Sequence, residues 1–206
     1  MKYRYQHATI LVFAKAPVAG KVKTRLVPPL KPEQAATLHQ KLLSRTLKMA
    51  TKKSIAPVIL YCSPDENHPF FQQCKQTYSI QTAQQVGKDL GARMHHALDA
   101  ALKHNRYAIL IGTDCPSMNT EYLEEAIQRL RSGSDVVIGP ANDGGYVLIG
   151  MKKIHAELFS DIAWGENTVF GSSMERIMQA GLQLSLLESL QDIDRPEDLH
   201  FIKEMR

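Results

Sequence analysis

The chain has 206 residues, of which 44% are hydrophobic and 22% charged, with a formal net charge of only +4. This is the composition of a globular chain with a sizeable core; it excludes a disordered or low-complexity protein and offers no dense basic face of the kind nucleic-acid binders carry. The three cysteines, Cys62, Cys74 and Cys115, form no C-x-x-C pair, which excludes a disulfide framework and a structural zinc site and leads to the expectation of a reducing, cytoplasmic setting.

The first apolar run, residues 10–13, is too short for a signal core or a membrane span, and no membrane insertion is expected. Residues 9–14 read as a buried strand, followed by a loop rich in Pro, Gly and Lys. Pro32 suits the first turn of a helix, and Leu38, Leu42, Leu43, Leu47, Met49 and Ala50 continue it as an apolar stripe. Residues 56–62 predict a second strand, 69–78 a short helix, and Leu90, Met94, Leu98 and Leu102 another amphipathic helix. Residues 108–112, apolar throughout, predict a third strand at the centre of a parallel sheet. Asn119 or Thr120 can cap the helix through Leu123, Ile127 and Leu130.

Strands follow at 135–139 and 146–150, split by Asn142-Asp143-Gly144-Gly145. Asn167 is expected to cap a helix that Gly181 ends, then come a strand at 182–187 and a terminal helix opened by Pro196 with Leu199 and Ile202 inward. Strand–helix alternation along 1–206 predicts one α/β domain, a mostly parallel sheet covered on both faces, with ligands beyond the carboxyl ends of its strands. Residues 142–167 are the expected place for a departure from strict alternation.

Five segments carry candidate chemistry. After the first strand, Lys15, Lys21, Lys23 and Arg25 lie within eleven residues around Gly20. Backbone N–H groups and cationic side chains there can hold a diphosphate, although a solvated basic loop is the plainer alternative. It is not a Walker A loop: Val22 follows Gly20-Lys21, and Lys15 stands where the first glycine belongs. Asp114, in Gly112-Thr113-Asp114-Cys115-Pro116, ends the most apolar strand and suits Mg²⁺ or Mn²⁺, or else serves as a turn or cap residue. Cys115 reads as packing. Asp143-Gly144-Gly145-Tyr146 is either a hairpin turn or a ligand-facing loop with Asp143 as a substrate or second-metal carboxylate. Asp192 and Asp194 precede the last helix, and Asp194 is the candidate second metal carboxylate. Gln85-Val86-Gly87-Lys88-Asp89-Leu90-Gly91-Ala92-Arg93 is a candidate base- or phosphate-contacting loop through Gln85, Gly87, Gly91 and Arg93. Trp164 is a core plug or an acceptor-site wall. The eight histidines lack metal spacing and receive no role.

Taken in order, Phe13-Ala14-Lys15-Ala16-Pro17, Gly20, Lys23-Thr24-Arg25-Leu26, Gln85-x-Gly87-x-Asp89-Leu90-Gly91-x-Arg93-Met94, Thr113-Asp114-Cys115-Pro116, Asp143-Gly144-Gly145-Tyr146 and Asp192-x-Asp194-x-Pro196-Glu197-Asp198-Leu199 resemble a family of small bacterial proteins. That family belongs to the glycosyltransferase-A, nucleotide-diphospho-sugar transferase superfamily, its members being labelled arsenosugar-type glycosyltransferases. The resemblance runs over residues 9–200. It implies a Rossmann-like three-layer α/β/α fold with a mixed sheet, a nucleotide cleft at the strand ends and a divalent metal.

Related guanylyltransferases of the same fold open with a glycine-rich loop that this chain lacks, while Lys23-Thr24-Arg25 resembles their phospholactate branch. Asp114 followed by Pro116, without Asp-x-Asp, resembles sugar-phosphate nucleotidylyltransferases. Two reactions therefore stand. The first is glycosyl transfer from a nucleotide sugar to a small-molecule acceptor. It would use Asp114, Asp143 and Lys23 in catalysis, Asp114 and Asp194 on the metal, Lys15, Gly20, Lys23 and Arg25 on phosphate, and Gly144, Gly145, Tyr146 and Trp164 around the acceptor. The second is nucleotidyl transfer from an NTP to a phosphorylated small molecule. A nucleotide-binding module without catalysis is the third possibility.

Overall fold

A computed structural model describes residues 3–205, and the side chains of 3–202. Seven strands form one sheet in the order β3-β2-β1-β4-β6-β5-β7. They are β1 (Ala8–Lys15), β2 (Val58–Ser63), β3 (Gln81–Gln84), β4 (Tyr107–Ile111), β5 (Val136–Pro140), β6 (Tyr146–Met151) and β7 (Leu184–Leu186). Neighbours pair in parallel except at β6, which runs antiparallel to both β4 and β5. The departure from alternation thus falls where the sequence places it, in the hairpin joining β5 to β6. β3 is the strand that periodicity misses. Its residues, Gln-Thr-Ala-Gln, have no apolar run, because an edge strand is only partly covered. The strand at 108–112 is accordingly the fourth.

Five helices cover the sheet: α1 (Pro32–Thr51), α2 (Pro69–Tyr78), α3 (Leu90–Leu102), α4 (Thr120–Arg131) and α5 (Val169–Gln179). In α1, Pro32 occupies the first turn and the Gln34 side chain accepts the Lys31 N–H at 2.8 Å. Its inward stripe of Leu43, Leu47 and Ala50 joins Ile10, Val12 and Leu60 in the core on one face of the sheet. Each fully buried Leu or Ile of this kind stabilises the fold by about 1.5–3 kcal/mol. Met94, Leu98 and Ala101 of α3 pack with Leu11, Leu110 and Ile149 on the other face.

Asn119 caps α4, its side chain accepting the Tyr122 N–H at 2.9 Å, and Asp89 caps α3 through the Ala92 N–H at 2.8 Å. Asn167 does not cap α5; Thr168 stands at that position with helical torsions and no side-chain bond. Gly181, at φ 65°, ends α5 in a left-handed turn, with the Leu182 N–H reaching the Ile177 carbonyl at 3.1 Å. The terminal segment Pro196–Met205 is a 3-10 helix, and its Leu199 and Ile202 do pack inward against Leu26, Leu38 and Ile193.

This topology builds one rim. The chain leaves β1 toward β2 and β3, then crosses to β4 on the other side of β1, making a switch point between β1 and β4. β4, β5 and β7 all end on that edge, and β6 begins there. The loops after β1, β4 and β7 and the 142–145 turn therefore converge. The Ile193 N–H donates to the Asp114 carbonyl at 2.8 Å, tying the exit from β7 to the exit from β4.

Candidate active site

Three adjoining cavities occupy this rim: two, of about 490 and 230 Å³, are both lined by Phe13, Arg25, Leu90, Gly112 and Asp114, and a third, of about 320 Å³ on the outer side, is lined by Arg25, Asp143, Glu166, Asp192, Asp194 and Arg195. The larger of the first two is basic: Lys15, Lys21, Lys23 and Arg25 all line it. Lys15 and Lys21 are exposed and make no ion pair among the described residues. Their ammonium groups are free to meet an anion.

Lys23 differs. It sits at φ 50°, in left-handed backbone, and its side chain is only 3% exposed. Its Nζ lies 2.9 Å from Asp114 Oδ1 and also donates to the buried Ile193 carbonyl. Lys23 is therefore committed to Asp114 and to the chain leaving β7, a different position from the free phosphate ligand expected from sequence. Arg25 donates to Asp194 Oδ2 at 2.6 Å and to the Gly165 carbonyl at 3.2 Å, and this carboxylate holds its pKa above the ordinary arginine value. Arg25 thereby straps the 165 and 194 loops across the mouth of the cleft.

The smaller cavity is of the opposite character. Tyr146, Trp164, Met94 and Leu90 give it apolar walls, and Asp114, Asp143, Glu166 and Asp192 bring four carboxylates. Asp194, the sequence choice for a second metal ligand, is neutralised by Arg25. Asp192, like Asp143 and Glu166, makes no ion pair among the described residues. Burial pushes its pKa up to about 6, and the charges of Asp143, Asp114 and Asp194 add to the rise. Asp143 sits in the hairpin turn, where its Oδ1 accepts the Gly145 N–H at 2.8 Å, so the turn and the cavity-lining roles coexist in one residue.

Several glycines and polar residues named from sequence have structural work instead. Gly20, at φ 74°, lines neither cavity and makes the turn that presents Lys21 and Lys23. Gly87, Gly91 and Arg93 also line neither. Arg93 closes the loop by donating from Nε to the Gly87 carbonyl at 3.0 Å. At Gly91 a Cβ would stand 2.4 Å from Trp164 Nε1, so the bare backbone is the shelf on which the indole rests. Gly144, at φ 91°, lies against the Asn167 carbonyl, 2.1 Å from where a Cβ would be, and its own carbonyl accepts the Phe170 N–H at 2.9 Å. Gln85 lines the basic cavity, but both amide bonds of its Nε2 go to backbone: the Ala14 carbonyl at 3.1 Å and the Tyr61 carbonyl at 2.9 Å. Cys115 is buried, and burial raises its thiol pKa, as befits packing.

Two polar lining residues, Glu166 and His39, carry no sequence signal of a role. His39, on α1, is 5% exposed; its Nε2 donates to the Lys15 carbonyl at 2.9 Å, and its Nδ1 has no protein partner. The ring thus anchors the start of the basic loop. The only signal in the sequence is a histidine on the apolar stripe of α1, where a leucine would pack equally well.

Burial lowers its pKa below the ordinary 6.5, a loss only partly offset by the Asp114 charge. Above pH about 6.5 the ring is neutral folded and unfolded; as pH falls below that, the unfolded chain takes up a proton that the fold refuses, and stability is lost. We expect the melting temperature to fall as pH drops below about 6.5, with a shallower fall in His39→Gln, which keeps an amide donor for Lys15. An unchanged slope in that variant would assign the acid sensitivity elsewhere.

Among the described residues no helix is long and apolar enough to cross a membrane. A family model described as "Uncharacterized protein conserved in bacteria (DUF2064)" matches residues 46–166. No curated protein matches the chain. Among solved structures, a protein described as a candidate nucleotide-diphospho-sugar transferase from Desulfovibrio desulfuricans G20 is 32% identical, superposes with a TM-score of 0.87, and matches over 96% of this chain and 86% of its own.

The fold is also that of more distant proteins. A nucleotidyl transferase from Methanothermobacter thermautotrophicus is 15% identical with a TM-score of 0.65, over 96% of each chain. A CMP:2-keto-3-deoxy-manno-octonic acid synthetase complexed with CTP is 12% identical with a TM-score of 0.62, over 97% of this chain and 98% of its own. The chain belongs to the DUF2064 family and carries the nucleotide-diphospho-sugar transferase fold, a Rossmann-like α/β/α sandwich with one antiparallel strand in an otherwise parallel sheet.

Proposed function

We propose that this protein is a metal-assisted transferase that takes a nucleotide sugar as donor and passes the glycosyl group to a small-molecule acceptor. The observation that carries the proposal is the division of one cleft into a basic lobe and an apolar, acidic lobe meeting at Asp114. A donor diphosphate fits the side of Lys15, Lys21 and Arg25, and the sugar then lies toward Trp164, Tyr146 and Asp143. The 32%-identical neighbour, named for the same donor class, supports the transferase assignment.

The uncompensated carboxylates fit a divalent cation. Burial, then the charges of Asp143 and Asp114, raises Asp192 to about 6, and Asp114 and Asp192 would hold a cation that offsets this cost. Among the described residues no three His, Cys, Asp or Glu side chains converge as a ready-made cage. The fit is to an ion that keeps waters and phosphate oxygens as most of its ligands, as Mg²⁺ does, with Mn²⁺ able to substitute. When bound, such an ion supplies charge stabilisation to the departing phosphate.

The chain's own residues do the rest. Lys23 holds the Asp114 carboxylate in place, Lys15 and Lys21 stabilise the leaving nucleoside diphosphate, and Arg25 closes the loops over it. The acceptor oxygen bonds to the anomeric carbon as the carbon–oxygen bond to the diphosphate breaks, the electron pair stays on phosphate, and Asp143 takes the acceptor's proton.

Nucleotidyl transfer is the second reading. The two exposed lysines of the basic lobe, Lys15 and Lys21, with Arg25 beside them, favour it, since a triphosphate can use all three. The two readings separate on products. With Mg²⁺ or Mn²⁺ and a panel of nucleotide sugars and NTPs, release of a nucleoside diphosphate supports glycosyl transfer. Pyrophosphate release supports the second reading, and stabilisation without turnover leaves a binding module. We expect Asp114→Ala to lose the metal-dependent shift in melting temperature with nucleotide; a variant that keeps the shift sinks the metal assignment.

A further inference from the structure

The smaller cavity shares Asp114 and Arg25 with the phosphate side, yet its charge is inverted. Asp143, Glu166 and Asp192 line it, the only cation lining it among the described residues is Arg25, already paired with Asp194, and Arg195 faces the adjoining outer cavity instead. Lys23 offsets Asp114 from the far side. Even with a divalent ion held by Asp114 and Asp192, that ion and Lys23 together fall one charge short of the four carboxylates on this wall, so the lobe stays net negative.

Their surroundings are aromatic. Tyr146 and Trp164 meet edge to face, with ring centroids 6.4 Å apart, and the Gly91 backbone backs the indole. An aromatic face beside carboxylates attracts an organic cation through the ring quadrupole and by direct charge. The same field repels phosphate or carboxylate groups, because a like charge a few ångströms away in a partly desolvated cleft is strongly unfavourable.

We propose that the acceptor is a small molecule bearing an ammonium-type cationic group, seated between Trp164 and the carboxylates of Asp143 and Glu166, and that anionic acceptors are excluded. This rests on the reading of the smaller lobe as the acceptor side. It also weighs against a phosphorylated acceptor, and so against nucleotidyl transfer of that kind.

Trp164 is the sole tryptophan of the chain, so its fluorescence reports on this cavity alone. At low salt, where the Debye length is about 30 Å, a cationic quencher such as the pyridinium 1-methylnicotinamide should quench it several-fold more effectively than iodide, with neutral acrylamide between them. Tetramethylammonium chloride should give a saturable change in emission that sodium chloride at equal ionic strength does not.

Glu166 is exposed on a loop, so Glu166→Gln and Glu166→Lys should fold, and each should narrow or reverse the cation-over-iodide preference and weaken the tetramethylammonium response. Asp143→Asn, which keeps the Oδ1 acceptor for the Gly145 N–H, should do the same. Iodide quenching as well as the cation, a preference unmoved in all three variants, or no saturable response to tetramethylammonium overturns the proposal. None of these readouts needs turnover, so they fail or succeed independently of whether the donor reaction is glycosyl transfer.

Discussion

Replacing Lys23 by alanine should cost about 2–3 kcal/mol of stability and at least about a hundredfold in turnover, the larger of the single-residue effects expected here. The reason is the company its ammonium keeps. It is buried, 2.9 Å from Asp114 Oδ1, and it also donates to the carbonyl of Ile193, a residue with no exposed surface. Alanine leaves that carbonyl without its partner, at a cost of about 1–3 kcal/mol.

The Asp114 carboxylate is 42% exposed and can recover water, so the charge penalty is smaller than for a fully buried pair. Its position is what is lost. Without Lys23 the carboxylate is free to rotate, and the segment through Ile193, which carries Asp192 and Asp194, is held to the end of β4 by the Ile193 N–H to Asp114 carbonyl bond alone. Lys23→Arg should not rescue turnover, because a forked guanidinium does not fit a pocket built for one compact ammonium. Chemical denaturation measures the first effect and product release under saturating nucleotide the second. A variant of wild-type stability that turns over normally would show that Lys23 neither holds Asp114 nor contributes to the chemistry.

The fold was legible from the chain because periodicity and local punctuation agree with it. Pro32, Asn119, Pro69 and Gly181 each mark a helix end for a steric or hydrogen-bonding reason that needs no tertiary contact. The missing edge strand at Gln81–Gln84 and the exchange of Asn167 for Thr168 at the start of α5 are failures of the opposite kind: the first is set by pairing with β2, the second by packing of the Gly144 turn against residue 167.

The site was legible as a set of segments and not as a set of partners. That the loops after β1, β4 and β7 meet follows from alternation and the switch-point rule. That Lys23 turns inward to Asp114 while Lys15 and Lys21 stay exposed, or that Arg25 takes Asp194 and leaves Asp192 unpaired, depends on contacts across 91 and 169 residues of sequence that no local pattern encodes. His39 is the extreme case, a polar ring hidden within an apolar stripe.

The unpaired carboxylate leads to a substitution whose effects on stability and on binding have opposite signs. Asp192 is held up at about 6 by burial and by Asp143, Asp114 and Asp194, against an ordinary 3.8. Its folded pKa is raised, so its charge destabilises the fold at any pH above about 6, and the penalty fades as pH falls from there toward 3.8, below which it is neutral in both states. Asp192→Asn removes the charge and keeps the shape. At pH 8, without metal or nucleotide, it should raise stability by about 1–2 kcal/mol, the gap in pKa discounted for its partial contact with solvent.

That gain should shrink when the comparison is repeated near pH 5. With Mg²⁺ and nucleotide the order should reverse: the variant should show little of the metal-dependent rise in melting temperature that the wild-type chain gains by mass action. The same experiment on Asp194→Asn separates the two aspartates. It should weaken the Arg25 strap between the 165 and 194 loops to a neutral-acceptor hydrogen bond and bind nucleotide more weakly, yet keep a metal-dependent increment. A destabilised Asp192→Asn, or one with a full metal response, would mean that the repulsion in the smaller cavity is already relieved within the protein and that the second metal carboxylate lies elsewhere.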